Sequence, residues 1–591
     1  MPPIPVDLGA LLPNGLPPTE DLVAEARRLA ADVELGRTLY FDQKGVRHEL
    51  EYRRRAAAER IPCTAVNVGL ATWDETREAL ELIHEDALRR GIRPPDRYEL
   101  LAERRMGLPP ELRESAPPET GPCLWSDKDW WELGHTVPIQ PEAGDNMIGG
   151  PGSVPNVVAA LRAGSTTVGV ASQFVWRWPY WDDEAAQMAA VVTASAIIAA
   201  KKHDGAVLNG YLDDGYCGVF SDYATVIGWA MSERYVFEEL LGAPYSVSWG
   251  GLTADPLHKA AVTIALEAVN PDRIPPSYIQ ADTISHGEDF VQNYAGASVD
   301  MLMTKLVCIR YGIAAAIIAV PVTEAVRIPS WAEIADTHAI NRRLESYLPT
   351  MERLVDWAAI EVHRDRLVEG GRRVFANFLE AMKATGVDTR DALQVLLVMK
   401  RIGSDMFERA FGAGEIDETE LSGRRPILRT DLVGKTFELR ERVIADIRTS
   451  SGSDALRGIS VVVASSDVHR YGLYLLRSVL EEAGATVIDI GVSRDPEDIV
   501  KVAIEVDADV IALTTHNGVA RTFGATLVEG LRKAECAAAV FMGGVLNEDV
   551  AGSPTPRDVR PQLWELGIQT PEDLQELVRQ VEMVGAGSDA G

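Results

Sequence analysis

An aspartate, a histidine and a glycine stand close together near the C-terminus, in the run Asp467-Val-His469-Arg-Tyr-Gly472. The run follows residues 459–465, an apolar stretch that predicts a buried β-strand. Ligands of open α/β sheets bind at the carboxyl ends of the strands, which places His469 on the functional edge. Asp467 can accept a hydrogen bond from one imidazole nitrogen and leave the other nitrogen free for a metal. The alternative is an ordinary loop histidine with an acid nearby.

Two further predicted strands end in residues that suit a ligand site. The apolar run 510–513 is followed by Thr514-Thr515-His516, and the run 538–542 is followed by Gly543-Gly544. Helical stretches alternate with these strands. This β-α-β-α-β-α-β order predicts a doubly wound open sheet, in which all of these strand ends lie on one edge.

The three groups of residues, taken in order, resemble the DxHxxG, SxL and Gly-Gly motifs of cobalamin-binding domains. Thr514 stands where that family has serine, and His516 stands where it has leucine. The resemblance implies a flavodoxin-like domain in which His469 displaces the cofactor's own base and becomes the lower axial ligand of cobalt. The cofactor-binding residues that it implies here are Ser466, Asp467, His469, Arg470, Gly472, Thr514, His516, Gly543 and Gly544.

The larger part of the chain has the pattern of a parallel α/β protein. Apolar runs at 166–171, 245–249, 277–279 and 314–320 predict strands, and Ala-rich helical stretches separate them. The span suits a (β/α)8 TIM-type barrel. The predicted domains are an N-terminal arm with helices (1–60), a catalytic barrel (61–345), a helical segment with a linker (346–455) and the cobalamin-binding domain (456–591).

Two segments of the predicted barrel resemble the barrel subunit of glutamate mutase. Trp176-Arg-Trp-Pro179-Tyr180 is similar to its Tyr-x-x-Pro-Tyr, and residues 320–330 are similar to its Lys-x-x-x-Glu-Ala-x-x-Ile-Pro-Thr, with Glu324 as the glutamate. The cobalamin domain, a separate subunit in glutamate mutase, would here be fused at the C-terminus, an arrangement that resembles 2-methyleneglutarate mutase. The resemblance implies adenosylcobalamin and a radical carbon-skeleton isomerisation. It places Trp176 and Pro179 near the cofactor, Glu324 on the adenosine ribose and Tyr180 in the substrate pocket.

The substrate residues of that family are replaced in this chain. The lysine near the adenosine falls on Val320, the glutamate that holds the substrate ammonium falls on Val170, and a carboxylate-binding arginine falls near Ile148. Glutamate itself is therefore not the expected substrate. Arg177 is the candidate for binding a substrate carboxylate, because guanidinium binds carboxylate in a bidentate manner. We therefore expect a small carboxylic acid, and a salt bridge at Arg177 is the alternative.

Other function classes remain open at this point. An acyl-CoA mutase, an aminomutase and a non-catalytic cobalamin sensor all use related domains. No GxxxxGK[ST] run is present, which argues against P-loop nucleotide hydrolysis. The acid pair Asp213-Asp214 is predicted to be a solvated turn rather than a metal site, and His286 is predicted to pack near a strand end.

Composition excludes several partners. The chain has 88 acidic and 58 basic residues, a net charge of −30, which argues against nucleic acid or an anionic membrane as a partner. The five cysteines are scattered without a CxxC pair, which favours a reducing cytoplasm. The N-terminus does not have the pattern of a signal peptide. We expect a homodimer or homotetramer, with a reactivating chaperone as a partner.

Overall fold

The structure is a computed structural model that describes residues 5–178, 181–324, 327–450, 452, 454–467, 470–516, 518–548 and 557–588. The chain forms two compact units. The first unit contains the chain up to Trp176 and the range Trp181–Leu432. The second contains the chain from Val433 onward and a short inserted segment that begins at Arg177.

The first unit begins with helices rather than strands. Thr38 caps one of them, because its side chain accepts a hydrogen bond from the Phe41 amide. Gly45, at φ 62°, ends the same helix in the left-handed conformation that glycine adopts without strain. These helices are α1 (Thr19–Ala31), α2 (Leu39–Lys44) and α3 (Glu49–Ala58).

Eight short strands follow in the first unit, and all of their pairings are parallel. They are β1 (Cys63–Val68), β2 (Arg97–Leu100), β3 (Gln140–Glu142), β4 (Thr167–Val168), β5 (Val207–Tyr211), β6 (Tyr245–Ser248), β7 (Tyr278–Gln280) and β8 (Ala316–Ile318).

The eight strands are linked in cyclic order. One sheet has the order β3-β2-β1-β8-β7, and the other has the order β4-β5-β6. Isolated parallel bridges join Ala143 to Val168 and Trp249 to Ile279, at the two seams between the sheets. Each strand therefore lies beside the strand before it and the strand after it in the chain, and β8 returns to β1. We call this arrangement the strand ring.

Helices connect consecutive strands of the ring, which is what parallel neighbours require. Acidic and hydroxyl side chains cap the first turns of most of these helices. Asp255, for example, accepts hydrogen bonds from the amides of Leu257 and His258. The helices are α4 (Trp73–Arg89), α5 (Pro110–Arg113), α6 (Asp127–Leu133), α7 (Ser153–Arg162), α8 (Glu184–Ala200), α9 (Tyr223–Arg234, continued by a π-helix at Tyr235–Leu240), α10 (Pro256–Ala268), α11 (Phe290–Tyr311) and α12 (Trp331–Leu344).

A buried ionic network joins α3 to the strand ring. Arg97 on β2 forms ion pairs with Glu142 on β3 and with Glu49 on α3, the latter at 3.3 Å. Arg53 on α3 lies 3.6 Å from Glu49 and donates a hydrogen bond to the Ser277 carbonyl. Because each of these charges has a partner of opposite sign, the desolvation that burial causes is offset by pairing.

Further helices complete the first unit and lead to the second. The helices are α13 (Leu348–Met351), α14 (Trp357–Ala384), α15 (Ala392–Ile402), α16 (Ser404–Phe411) and α17 (Asp431–Ser450). Lys400 on α15 donates hydrogen bonds to the carbonyls of Phe174 and Trp176, and Glu408 on α16 accepts from the amides of Ser221 and Asp222, so these two helices pack within the first unit. Helix α17 lies in the segment 346–455 that was predicted to be helical with a linker.

The second unit is a four-stranded parallel sheet in the order β10-β9-β11-β12, covered by helices on both faces. Val461 and Val463 contribute to one apolar layer and Val462 and Ala464 to the other, as alternation along a strand requires. The elements are β9 (Ser460–Ser465), α18 (Arg470–Glu482), β10 (Thr486–Asp489), α19 (Pro496–Glu505), β11 (Val510–Thr515), α20 (Ala520–Lys533), β12 (Ala539–Gly544), β13 (Asn547–Glu548), β14 (Arg557–Asp558), α21 (Arg560–Glu565) and α22 (Leu574–Ser588).

The prediction of parallel α/β sheets is confirmed in both units. Within the described ranges, no helix is both long enough and apolar enough to cross a membrane.

Candidate functional site

Three strands of the second unit bring their carboxyl ends together. In the ladder, Thr514 on β11 lies opposite Ser465 on β9 and opposite Gly543 on β12, and Thr515 lies opposite Gly544. The strand-end residues that the sequence predicts to bind a ligand therefore lie side by side on one edge of the sheet, where open parallel sheets bind ligands.

Asp467 holds the loop after β9 in place. Its carboxylate accepts a hydrogen bond from the His516 amide at 2.5 Å and another from the Ser465 hydroxyl at 3.4 Å. Its own carbonyl accepts from the Ser493 amide at 2.9 Å. The side chain is buried, and a carboxylate that is buried needs such partners. The predicted partner of Asp467, His469, lies outside the described residues.

Glycines shape this edge in different ways. A Cβ atom at Gly472 would lie 3.3 Å from the Thr514 methyl group, so glycine lets α18 pack closely on β11. Gly544 has φ 103°, and a Cβ atom there would lie 2.2 Å from the Thr515 carbonyl oxygen. A Cβ atom at Gly543 would have no neighbour within 4 Å, so this glycine faces open space.

A cavity of about 350 Å³ opens at this edge, between the strand ends, α18 and the start of α22. Asp467, Gly472 and His516 line it, together with Thr514, Thr515, Gly543 and Gly544. Its other walls are mainly apolar, as in most sites for organic ligands. They include Tyr471, Leu475, Leu476, Phe541, Met542, Leu574 and Leu577.

Three hydroxyl groups at this edge are buried without a hydrogen-bond partner among the described residues. They belong to Ser466, Thr514 and Thr515. Buried polar atoms in folded proteins are nearly always paired, so these hydroxyls indicate a bound molecule that supplies their partners. Ser466 and Thr514 were predicted from the sequence. Thr515 was missed, because motif spacing alone marked only its two neighbours.

The remaining predicted residues of the second unit have differing environments. Arg470 is the first residue of α18 and is half-buried, whereas His516 is exposed. The contact of the His516 imidazole with the cofactor stays a prediction. Its amide, by contrast, has a defined structural role as donor to Asp467.

Each of the predicted substrate-site residues that the structure describes has its own local surroundings. Trp176 is half-buried and donates a hydrogen bond from its indole to the Asp214 carbonyl at 2.6 Å. Arg177 pairs with Asp498 and lies 3.9 Å from Asp495, within the second unit. Glu324 is exposed in a turn after β8. Pro179 and Tyr180 lie outside the described residues.

The prediction of a solvated turn at Asp213-Asp214 is wrong. Both residues are half-buried in a short helical turn after β5. Asp213 accepts a hydrogen bond from the Gly250 amide at 2.7 Å, and Asp214 accepts one from the Gln173 side chain at 2.8 Å. Their partners come from distant parts of the sequence, which local composition does not reveal. Over the described ranges, no group of three or more His, Cys, Asp or Glu side chains is arranged to hold a metal ion.

Comparison with known proteins identifies one domain. Residues 458–551 match the family model of the B12 binding domain, so the chain carries a B12-binding domain in its second unit. The chain is similar to a cobalamin-binding protein from Desulfitobacterium hafniense DCB-2, with 19% identity over 26% of this chain and 70% of that chain, at a TM-score of 0.21. It is also similar to a monomethylamine corrinoid protein of Methanosarcina barkeri, with 15% identity over 42% of this chain and 91% of that chain, at a TM-score of 0.18. No curated protein matches the chain.

Proposed function

We propose that the chain is an adenosylcobalamin-dependent isomerase, a carbon-skeleton mutase whose first unit is a catalytic (β/α)8 barrel. The observation that carries the proposal is the strand ring, in which eight parallel strands follow one another in cyclic order in the same chain as a B12-binding domain. A cobalamin carrier or sensor needs only the second unit. A strand ring of this kind is typical of enzymes that build a site from the loops after the strands.

The second unit has groups that fit cobalamin. The buried hydroxyls of Ser466, Thr514 and Thr515 lack partners, and the amide and phosphate oxygens of the cofactor can accept hydrogen bonds from them. The open space at Gly543 leaves room for a bulky group. His469 is the proposed lower ligand of cobalt. When bound, adenosylcobalamin supplies a carbon radical through homolysis of its cobalt–carbon bond.

The first unit would then bind and orient the substrate and keep water away from it. The loops after the strands are the place for this task, because they meet at one edge of the ring. In this proposal, Glu324 holds the adenosine ribose and Tyr180 lines the substrate pocket. Arg177 binds a substrate carboxylate only if it exchanges its present partner, Asp498, for the substrate.

The test is reconstitution of the full chain with adenosylcobalamin and, in parallel, with methylcobalamin. We expect the adenosyl form to give a substrate-triggered cobalt(II) radical signal in electron paramagnetic resonance and an isomerised product. Nitrogen coupling of the lower ligand should disappear in His469→Ala. Methyl transfer from methylcobalamin, with no radical signal for any carboxylic acid, amino acid or acyl-CoA, would refute the proposal.

A further inference from the structure

A group of oxygen-bearing side chains lies at the carboxyl edge of the strand ring. Glu99 is on β2, Asp145 follows β3, and Asp214 follows β5. Tyr211, the last residue of β5, and Tyr278 on β7 lie beside them. We call these five residues the carboxylate cluster.

The members of the carboxylate cluster are in mutual contact. Gln173 donates hydrogen bonds to Asp145 at 3.3 Å and to Asp214 at 2.8 Å, so one amide bridges the two acids. The neighbouring Tyr278 favours the charged form of Glu99 and so lowers its pKa, and the rings of Tyr278 and Tyr211 lie 5.4 Å apart. Strands β2, β5 and β7 are not neighbours in the ring. Their side chains can therefore meet only inside it.

The carboxylate cluster contains three acidic side chains and no basic one. Within the described part of the chain, neither Glu99 nor Asp145 forms a salt bridge with a lysine or an arginine. Arg97 interacts with Glu99 at longer range, but its ion pairs are with Glu142 and Glu49, and Lys259 pairs with Asp300 at 3.2 Å. Burial raises the pKa of Glu99 to about 8 and holds the pKa of Asp145 well above its ordinary value.

Two amide side chains beside the cluster each have one polar atom without a hydrogen-bond partner among the described residues. Asn67 is paired with Glu99 across β1 and β2, so the two side chains lie on the same face, and the Asn67 carbonyl oxygen is buried without a donor. Asn209 is fully buried and lies two residues before Tyr211, on the same face of β5. Its amide nitrogen has no acceptor among the described residues. Among the described residues, the Asn67 oxygen is therefore an acceptor without a donor, and the Asn209 nitrogen is a donor without an acceptor.

These observations point to a ligand with a cationic nitrogen. An ammonium group has a positive charge and several N–H donors, which match the acids and the Asn67 oxygen. A tightly coordinated metal ion fits less well, since the acids are spread over separate loops and no metal-binding arrangement is found among the described residues. The Asn209 amide suits a carbonyl or hydroxyl oxygen on the same molecule.

We propose that the carboxylate cluster binds the ammonium group of an amine-bearing substrate through Glu99, Asp145 and Asp214. This inference rests on the proposed function, because it assumes that the ring encloses the substrate. It uses residues other than Val170, the position that the resemblance aligns with an ammonium-binding glutamate. It also changes the expected substrate from a simple carboxylic acid to an amine that has a second polar group.

The test measures binding of 4-aminobutanol and of 1,4-butanediol, a neutral compound of similar size and shape, by calorimetry at pH 8.5. The protein is the full chain loaded with adenosylcobalamin. We expect the amine to bind at least tenfold more tightly than the diol. Asp145→Asn and Glu99→Gln should each reduce that preference by at least fivefold. The control is Glu78→Gln, which removes an exposed carboxylate on α4 and should change nothing.

The outcomes separate this inference from the proposed function. Equal affinity for the amine and the diol would overturn the proposed ammonium site. An unchanged preference for the amine in both cluster variants would do the same. Either result would leave the isomerase standing if carboxylic acids without an amine give the radical signal. Preferential binding of the amine, with no radical signal from any substrate, would instead support the cluster and refute the isomerase. Circular dichroism of each variant shows whether it is folded. If a variant is not folded, Asp214→Asn replaces it in the same comparison.

Discussion

The neighbouring glycines Gly543 and Gly544 provide a sharp test of the second unit, because the same substitution has opposite consequences at the two positions. Alanine at Gly544 must adopt φ 103°, which costs about 1–3 kcal/mol. Its Cβ atom would also lie 2.2 Å from the Thr515 carbonyl, and relieving that overlap costs about 1–3 kcal/mol more. We therefore expect Gly544→Ala to destabilise the sheet edge by about 2–6 kcal/mol.

Gly543→Ala is the matched control. Its Cβ atom would have no neighbour within 4 Å, so the folded state accepts the methyl group without overlap. The unfolded chain loses conformational freedom, and we expect stability to be unchanged or higher by about 0.4–1 kcal/mol. A larger residue in the same place, as in Gly543→Leu, should extend into the open space and raise the cobalamin dissociation constant at least tenfold.

Hydrogen exchange of the full chain measures both effects at the right place. The Val545 amide donates to the Thr515 carbonyl at 2.9 Å, so its exchange rate reports on the junction that Gly544→Ala disturbs. Titration with cobalamin, followed by absorbance, gives the affinity of each variant. Equal exchange rates in the two alanine variants would refute the steric argument, and unchanged affinity in Gly543→Leu would refute the assignment of the cavity.

Further predictions concern polar groups of the two units. Thr514→Val and Ser466→Ala should leave the stability of the cofactor-free protein unchanged or higher and weaken cobalamin binding about 3- to 10-fold each, by titration, because each hydroxyl lacks a partner among the described residues. Asp467→Asn should speed hydrogen exchange of the His516 amide, since a carboxylate is the stronger acceptor. Burial raises the pKa of Glu99 from its ordinary 4.5 to about 8, so the native state keeps a proton that the unfolded chain releases, and stability should fall between pH 4.5 and 8. Chemical denaturation across this range should show a shallower fall in Glu99→Gln, and an equal fall would contradict the assignment.

The sheet of the second unit could be predicted closely from the sequence. Its strands are apolar runs, and turn residues or glycine separate them from the helices. The predicted runs 510–513 and 538–542 stop two residues short, because β11 continues through Thr515 and β12 through Gly544. The ladder between these strands extends to the last pair, and cross-strand hydrogen bonds outweigh the low strand propensity of glycine there.

The strands of the first unit were harder to predict. Strand β2 contains Arg97 and Glu99 in only four residues, a composition that does not suggest a buried strand. It is buried because Glu142 and Glu49, from two other elements, pair with Arg97. Strand β4 has two residues, whereas the apolar run 166–171 predicted a longer one, since the chain turns into a helical segment at Ala171.

The carboxylate cluster could not be predicted for the same reason. Its acids are far apart in the sequence, and the ring brings them together. Only the Asp213-Asp214 pair gave a local signal, and the pair was interpreted as a solvated turn because nothing near it in the sequence indicated burial. Its real partners, Gln173 and Gly250, belong to loops after other strands.

Arg97 and Glu99, the two buried ionisable residues of β2, differ in how their charges are compensated. They are two residues apart and extend to the same face of the strand. The charge of Arg97 is balanced by ion pairs with Glu142 and Glu49, two acids of the chain itself. Glu99 interacts with Arg97 and Tyr278 but forms no ion pair of its own among the described residues, and burying it costs free energy unless it retains a proton or a cation compensates its charge. A fold that needed this position only for packing would be more stable with an apolar residue there, and the acid is therefore better explained by the ammonium ligand that we propose.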